Sequence, residues 1–153
     1  MELAHLQSTL EDTFAGNFVL YYRAHQAHVN VTGRNFTSDH KLLGKIYEYL
    51  QGNIDIIGEK LRTVRAKMPY SISFNLDTGP IRDVPYYGDS DELLEGVLDG
   101  INVMVDQYHK LYQAAEDVDY IDISNFAQDE IAALVKFRWM IESTLEEDEQ
   151  SGY

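Results

Sequence analysis

The 153-residue chain contains no cysteine. This excludes a disulfide framework, a thiolate zinc site and a cysteine nucleophile, and it fits a reducing, cytoplasmic setting. Proline is scarce: Pro69, Pro80 and Pro85 share one stretch, and the segments on either side have none. Those segments are therefore free to form long helices. No apolar run approaches the roughly 20 residues that cross a bilayer. The opening Met1-Glu2-Leu3-Ala4-His5 is neither basic nor followed by a long apolar run, so no signal peptide is expected.

Positive charge is the third shortage. Twelve Lys and Arg stand against 26 Asp and Glu, for a net charge of −14. The first 22 residues and the last 15 carry no Lys or Arg. Nucleic-acid binders concentrate these residues to neutralise phosphates. The one basic cluster, Lys60, Arg62, Arg65 and Lys67, is also what the C-terminal end of a helix favours. An acidic surface attracts cations and repels DNA.

What is present is helical spacing. Leu3, Leu6, Leu10, Phe14, Phe18, Tyr21, His25 and His28 step by three or four along a first helix that ends near Asn30. After a short turn at Gly33, Thr37 or Ser38 is a candidate cap for a second helix. Its apolar face uses Leu43, Ile46, Leu50, Ile54, Ile57, Leu61 and Val64. Asp89-Ser90-Asp91 reads as the start of a third helix, carried by Leu93, Val97, Ile101, Met104, Tyr108, Leu111 and Ala115. An acidic turn, Glu116 to Tyr120, precedes a fourth helix opened by Asp122 and ending in a frayed Glu-Glu-Asp-Glu tail. Two short turns make two helix pairs, and a long connection over about residues 66–88 joins them. The expectation is one all-α domain over 1–153, a ferritin-like four-helix bundle with one long crossover. An ordinary up-down bundle with a long loop fits the same pattern.

Glu-x-x-His is the spacing of di-iron sites inside one bundle. Glu2-Leu3-Ala4-His5 has it at the N-terminus, and Asp106-Gln107-Tyr108-His109 is an aspartate version without a second copy. Both read better as surface polar residues. His28, His40, Asp55 and Glu59 are better candidates. Asp55 and Glu59 lie four apart and share a helix face, as ordinary solvated carboxylates also do. His28 and His40 flank an antiparallel turn and can approach each other.

Helix geometry then imposes a constraint. His40 and Asp55 are fifteen residues apart on one helix, which separates them by about 22 Å. Metal–ligand bonds are about 2 Å. One chain cannot bring both to one ion. A second copy of the helix, antiparallel across a two-fold axis, can. Gly44, Gly52 and Gly58 in this helix are candidate points of close approach.

The run His28-Val29-Asn30-Val31-Thr32-Gly33-Arg34-Asn35-Phe36-Thr37-Ser38-Asp39-His40 resembles the Dps-family pattern His-Trp-Asn-Val-x-Gly-x-x-Phe-x-x-Leu-His. Tyr47 follows, and Asp55-Ile56-Ile57-Gly58-Glu59-Lys60 resembles Asp-x-x-Ala-Glu-Arg of the same family. His25 also has a family counterpart, and Lys136 with Trp139-Met140 resembles the motif of the last helix. The resemblance is dense over about residues 18–64 and continues elsewhere in helix layout.

The resemblance implies a mini-ferritin: a dodecameric homo-oligomer with di-iron ferroxidase centres at two-fold interfaces. Fe(II) is oxidised there, preferably by hydrogen peroxide, and a ferric mineral is stored inside, protecting against oxidative damage. The implied ligands are His28, His40, Asp55 and Glu59, with Glu59 bridging. Zinc or another divalent ion suits the same donor set, since geometry selects the metal. Asp122, and less strongly Asp119, Asp117 and Glu116, correspond to acids lining the family's iron-entry pores, although acids also stabilise helix N-termini. The eleven tyrosines are possible electron donors, though most are expected to pack.

Three departures stand out. Val29 replaces the tryptophan beside the site. Gly44 stands where the family often has an aspartate for the second iron, with Glu48, one turn on, as a possible auxiliary ligand. The stretch from Lys67 to Gly88 differs from the usual family sequence. Two alternatives follow: a nucleoid-binding Dps protein, or a shell that has lost ferroxidase activity. The charge distribution bears on the first. The protein is expected to cause no retardation of duplex DNA at moderate salt near neutral pH, and a salt-sensitive shift would contradict this.

Overall fold

The computed structural model describes residues 2–150, with side chains from 3 to 146. Those residues form five helices: α1 (Glu2–Asn30), α2 (Phe36–Thr63), α3 (Ile72–Thr78), α4 (Ser90–Glu116) and α5 (Ile121–Gln150). The acidic tail expected to fray is helical to Gln150, and its side chains from 147 on lie outside the described residues. α1 packs against α2, α3 and α4, and α4 packs against α5. The four long helices form a bundle, and the α2–α4 connection is the single long crossover.

The apolar stripes meet inside. Leu6, Leu10, Phe14 and Leu20 of α1 are buried against Leu43, Ile46, Leu50, Ile57 and Leu61 of α2, with Leu93, Val97, Ile101 and Leu111 of α4. Each such side chain contributes roughly 1.5–3 kcal/mol when removed from water. Direction follows from polar contacts. Arg23 reaches Gly96, whereas Thr9 and Thr13 meet Gln107, so α1 and α4 run antiparallel.

Local chemistry sets the helix ends. α4 begins with a capping box: Asp89 accepts from the Glu92 N–H at 2.9 Å, and Glu92 accepts from the Asp89 N–H. α2 begins at Phe36, earlier than the Thr37 or Ser38 cap expected, and its N-cap Asn35 makes no side-chain cap bond. The earlier start puts Phe36 one turn before His40, on which it stacks at 5.0 Å. α2 and α4 both close with a left-handed residue, Arg65 and Asp119. In each, a 6→1 backbone bond runs back into the helix: Ala66 N–H to Leu61 O, and Tyr120 N–H to Ala115 O.

The crossover contains α3, which no periodicity had indicated. Ser71 caps it by accepting from the Phe74 N–H. Arg23 fastens the crossover to the bundle. Its buried guanidinium donates to the carbonyls of Gly96 and Arg82, both at 3.1 Å, and lies 4.2 Å over the Tyr86 ring. Gly96 is required at this point, because a Cβ there would overlap the Tyr86 ring.

A carboxylate of α5 is buried in the bundle. Glu130 of α5 accepts from Tyr49 Oη at 2.6 Å and from Asn53 Nδ2 at 3.0 Å. Burial raises its pKa, and those two hydrogen bonds only partly offset the effect. A carboxyl with a raised folded-state pKa adds stability below its unfolded pKa of about 4.3. That contribution is lost as pH climbs through the folded value. Glu130→Gln, which does not ionise, should therefore gain on the wild type in thermal unfolding as pH rises from acid to neutral. A difference independent of pH would show that ionisation of Glu130 carries no stability cost.

Candidate metal centre

The turn between α1 and α2 brings His28 and His40 face to face. Their ring centroids are 3.8 Å apart and the planes differ by 18°. His28 Nδ1 bonds the His40 carbonyl at 2.6 Å, and His40 Nδ1 bonds the His28 carbonyl at 2.7 Å. A carbonyl oxygen only accepts, so each Nδ1 carries the proton. In the neutral rings each Nε2 then keeps its lone pair, which is the tautomer a metal ion requires. Both rings are half-buried.

Position 44 shapes this pair. A Cβ on Gly44 would stand 3.0 Å from His28 Cε1 and 3.2 Å from Nδ1. The glycine gives the ring its seat on α2. Of the three glycines considered for helix approach, Gly44 makes room for His28 and Gly58 for Met68 within the same chain. Only Gly52 faces open space.

Asp55 and Glu59 lie one turn apart on an exposed face of α2. Hydrogen bonding with Asp55, and then its charge, hold the Glu59 carboxyl above the ordinary carboxylate range. Two carboxyls this close favour a cation between them. Along the axis Asp55 is about 22 Å from His40 and Glu59 about 28 Å. Among the described residues, no three His, Asp or Glu side chains gather where they could hold one ion. Each chain thus presents a two-imidazole end and a two-carboxylate end, and Glu48, exposed between them, joins neither.

The remaining candidates sit apart. Glu116 accepts from Tyr112 Oη at 3.0 Å and Asp117 from Gln113 Nε2 at 2.9 Å. Asp119 and Asp122 are exposed, Asp122 in the first turn of α5. Asp106 and His109 are exposed on α4. For Glu2-x-x-His5, the Glu2 side chain lies outside the described residues. The buried Glu130 was missed, although the step Ala127, Glu130, Leu134 places it on the core stripe.

The family model of the ferritin-like domain matches residues 7–151. The chain belongs to the ferritin-like family. Two relatives are named DNA protection during starvation protein. The one from Brevibacillus brevis is 24% identical over 84% of this chain and 86% of its own length. The one from Helicobacter pylori strain J99 is 25% identical over 94% and 95%. The crystal structure of a Dps protein from Vibrio cholerae O1 superposes with a TM-score of 0.88 at 25% identity, covering 94% of this chain and 91% of that one. It is described as a member of a broad superfamily of ferritin-like diiron-carboxylate proteins. A Dps protein from Bacillus brevis gives 0.89 at 22% identity, covering 94% and 97%. Within that family the chain is similar to Dps proteins in sequence and in fold. No helix among the described residues is long and apolar enough to cross a membrane.

The seat of His28 has a direct test. Gly44→Ala would crowd the ring by a few tenths of an ångström and strain its bond to the His40 carbonyl. Loss of such an orienting bond should lower Zn(II) affinity by about tenfold or more in calorimetry.

Proposed function

We propose that this protein is a ferroxidase and iron-storage mini-ferritin whose metal centres form between subunits. His28 and His40 of one protomer would face Asp55 and Glu59 of another across a two-fold axis, twice per interface. The observation that carries this reading is the reciprocal Nδ1–carbonyl pairing, which leaves two Nε2 donors side by side on a chain whose carboxylates are about 22 Å or more away. A mixed imidazole and carboxylate set suits Fe(II) with positions left open for an oxidant. Glu59 is the candidate bridge.

The surface beside the carboxylates supports a seam. Ile56, Met68, Tyr70 and Ile72 are exposed by 44%, 51%, 89% and 63%. Met68, Tyr70 and Ile72 line a 230 Å³ groove with Phe14, Phe18 and Ile54. Exposed apolar side chains grouped this way mark association surfaces. The full reading is a closed homo-oligomeric shell, a dodecamer, that takes in Fe(II), oxidises it preferably with hydrogen peroxide and keeps the ferric mineral inside. Asp122, Asp119 and Asp117 are candidate pore residues that would draw in Fe(II). The acidic balance argues against DNA as a partner.

His40→Ala or Asp55→Ala should each abolish fast Fe(II) oxidation in stopped-flow absorbance while leaving the shell assembled. Co-assembling the two variants restores one intact centre at every mixed interface. Roughly a quarter of wild-type centres should return in a random mixture. Normal oxidation by both single variants, or no recovery on mixing, would remove the shared centre.

A further inference from the structure

Arg23 carries a buried charge with no partner of opposite sign beside it. The residue is 8% exposed, and burial works against its cationic form. Tyr86, Asp99 and Asp83 favour the charge, the two carboxylates from farther away. Among the described residues, no carboxylate lies within ion-pair distance of it, about 4 Å. The Gly96 and Arg82 carbonyls take two of its five N–H groups, which leaves three donors. α4 makes room for this arrangement at two points. Gly96 leaves space for the Tyr86 ring, and a Cβ at Gly100 would stand 3.3 Å from Arg23 Nη1. Arg23 lines a cleft of about 270 Å³ between α1 and the crossover, and Asp83, Val84 and Tyr86 line it from the crossover side. Val19 and the exposed Tyr22 ring add apolar surface from α1.

We propose that this cleft binds a free α-amino acid with an apolar side chain, its carboxylate on Arg23 and its ammonium on Asp83. The charges decide the ligand class. A simple anion suits Arg23 but meets Asp83, Asp99 and a chain of net charge −14. A simple cation suits Asp83 but meets the guanidinium. A zwitterion offers each group its opposite and brings no net charge. Pairing of guanidinium with carboxylate is also strong and directional. The volume lies just under the roughly 300–1,000 Å³ of pockets for drug-sized ligands, which suits a small metabolite. Val19, Val84 and Tyr22 give its side chain an apolar wall. A ligand held in this way ties α1 to the crossover, beside the clamp that Arg23 makes. The inference is independent of the metal centre.

The test is calorimetric titration of the full-length, metal-free protein at two temperatures, so that a vanishing enthalpy at one does not hide binding. The probes are L-leucine, 4-methylpentanoate, which lacks its ammonium, and 3-methylbutylamine, which lacks its carboxylate. Leucine should bind saturably at one per chain, and each analogue about tenfold or more weakly. Changing Arg23 would also loosen the crossover, so the variant is Asp83→Asn at an exposed position. It should weaken leucine about tenfold and tighten 4-methylpentanoate, reversing the preference. A merely structural Asp83 would not produce that reversal. Asp77→Asn, at an exposed acid of α3 outside the cleft, should change neither. No saturable leucine binding overturns the proposal. So does 4-methylpentanoate binding the wild type as tightly as leucine, or an Asp83→Asn protein with unaltered affinities.

Discussion

Two imidazoles that each give their Nδ1 proton to the other's backbone carbonyl define the centre of this molecule. The pairing closes the turn between α1 and α2, because each bond crosses from one helix to the other. It also settles the tautomer before any metal arrives. A histidine free to rotate would have to find both its orientation and its protonation state on binding. Here packing and the backbone have done this already, with Phe36 under one ring and Gly44 beneath the other. Pre-orientation of this kind lets a site on helices hold a ligand geometry that loops would not.

The length of α2 decides the rest. A straight helix cannot fold its own carboxylates back onto its own histidines. The fold spends none of its interior on the metal, and the bundle centre is given to packing, with Glu130 held by Tyr49 and Asn53. Burial raises the Tyr49 phenol as well as the Glu130 carboxyl. Under the proposed function the chemistry would move to the surface and to contact between copies, while the core keeps the helices straight and in register.

Much of this was legible in the residues themselves. The three-and-four spacing of Leu43, Ile46, Leu50, Ile57 and Leu61 marks α2, and all five are buried in the core. Asp89-Ser90-Asp91 marks the start of α4 because a capping box is a local device. α3 was not legible, since Ile72–Thr78 spans only seven residues and gives no period to read. The α2 cap was misplaced because side-chain capping was expected where ring stacking of Phe36 on His40 operates. Gly44 was read as a point of approach for another helix, and it houses His28, a contact that exists only once two helices pack. Glu130 shows the opposite case. Its place on the core stripe was written in the spacing, but an acid there is passed over because so few are buried.

The separation of imidazoles from carboxylates along one helix also bears on what a solitary polypeptide can do. A freshly synthesised chain carries two donors at each end and a complete set at neither. If the centre is shared as proposed, gathering iron tightly would require a second polypeptide, and capacity for metal would grow faster than in proportion to the amount of protein made. Reactive iron would then not be assembled on stray, partner-less chains, and redox chemistry would begin where a container is already being built around it.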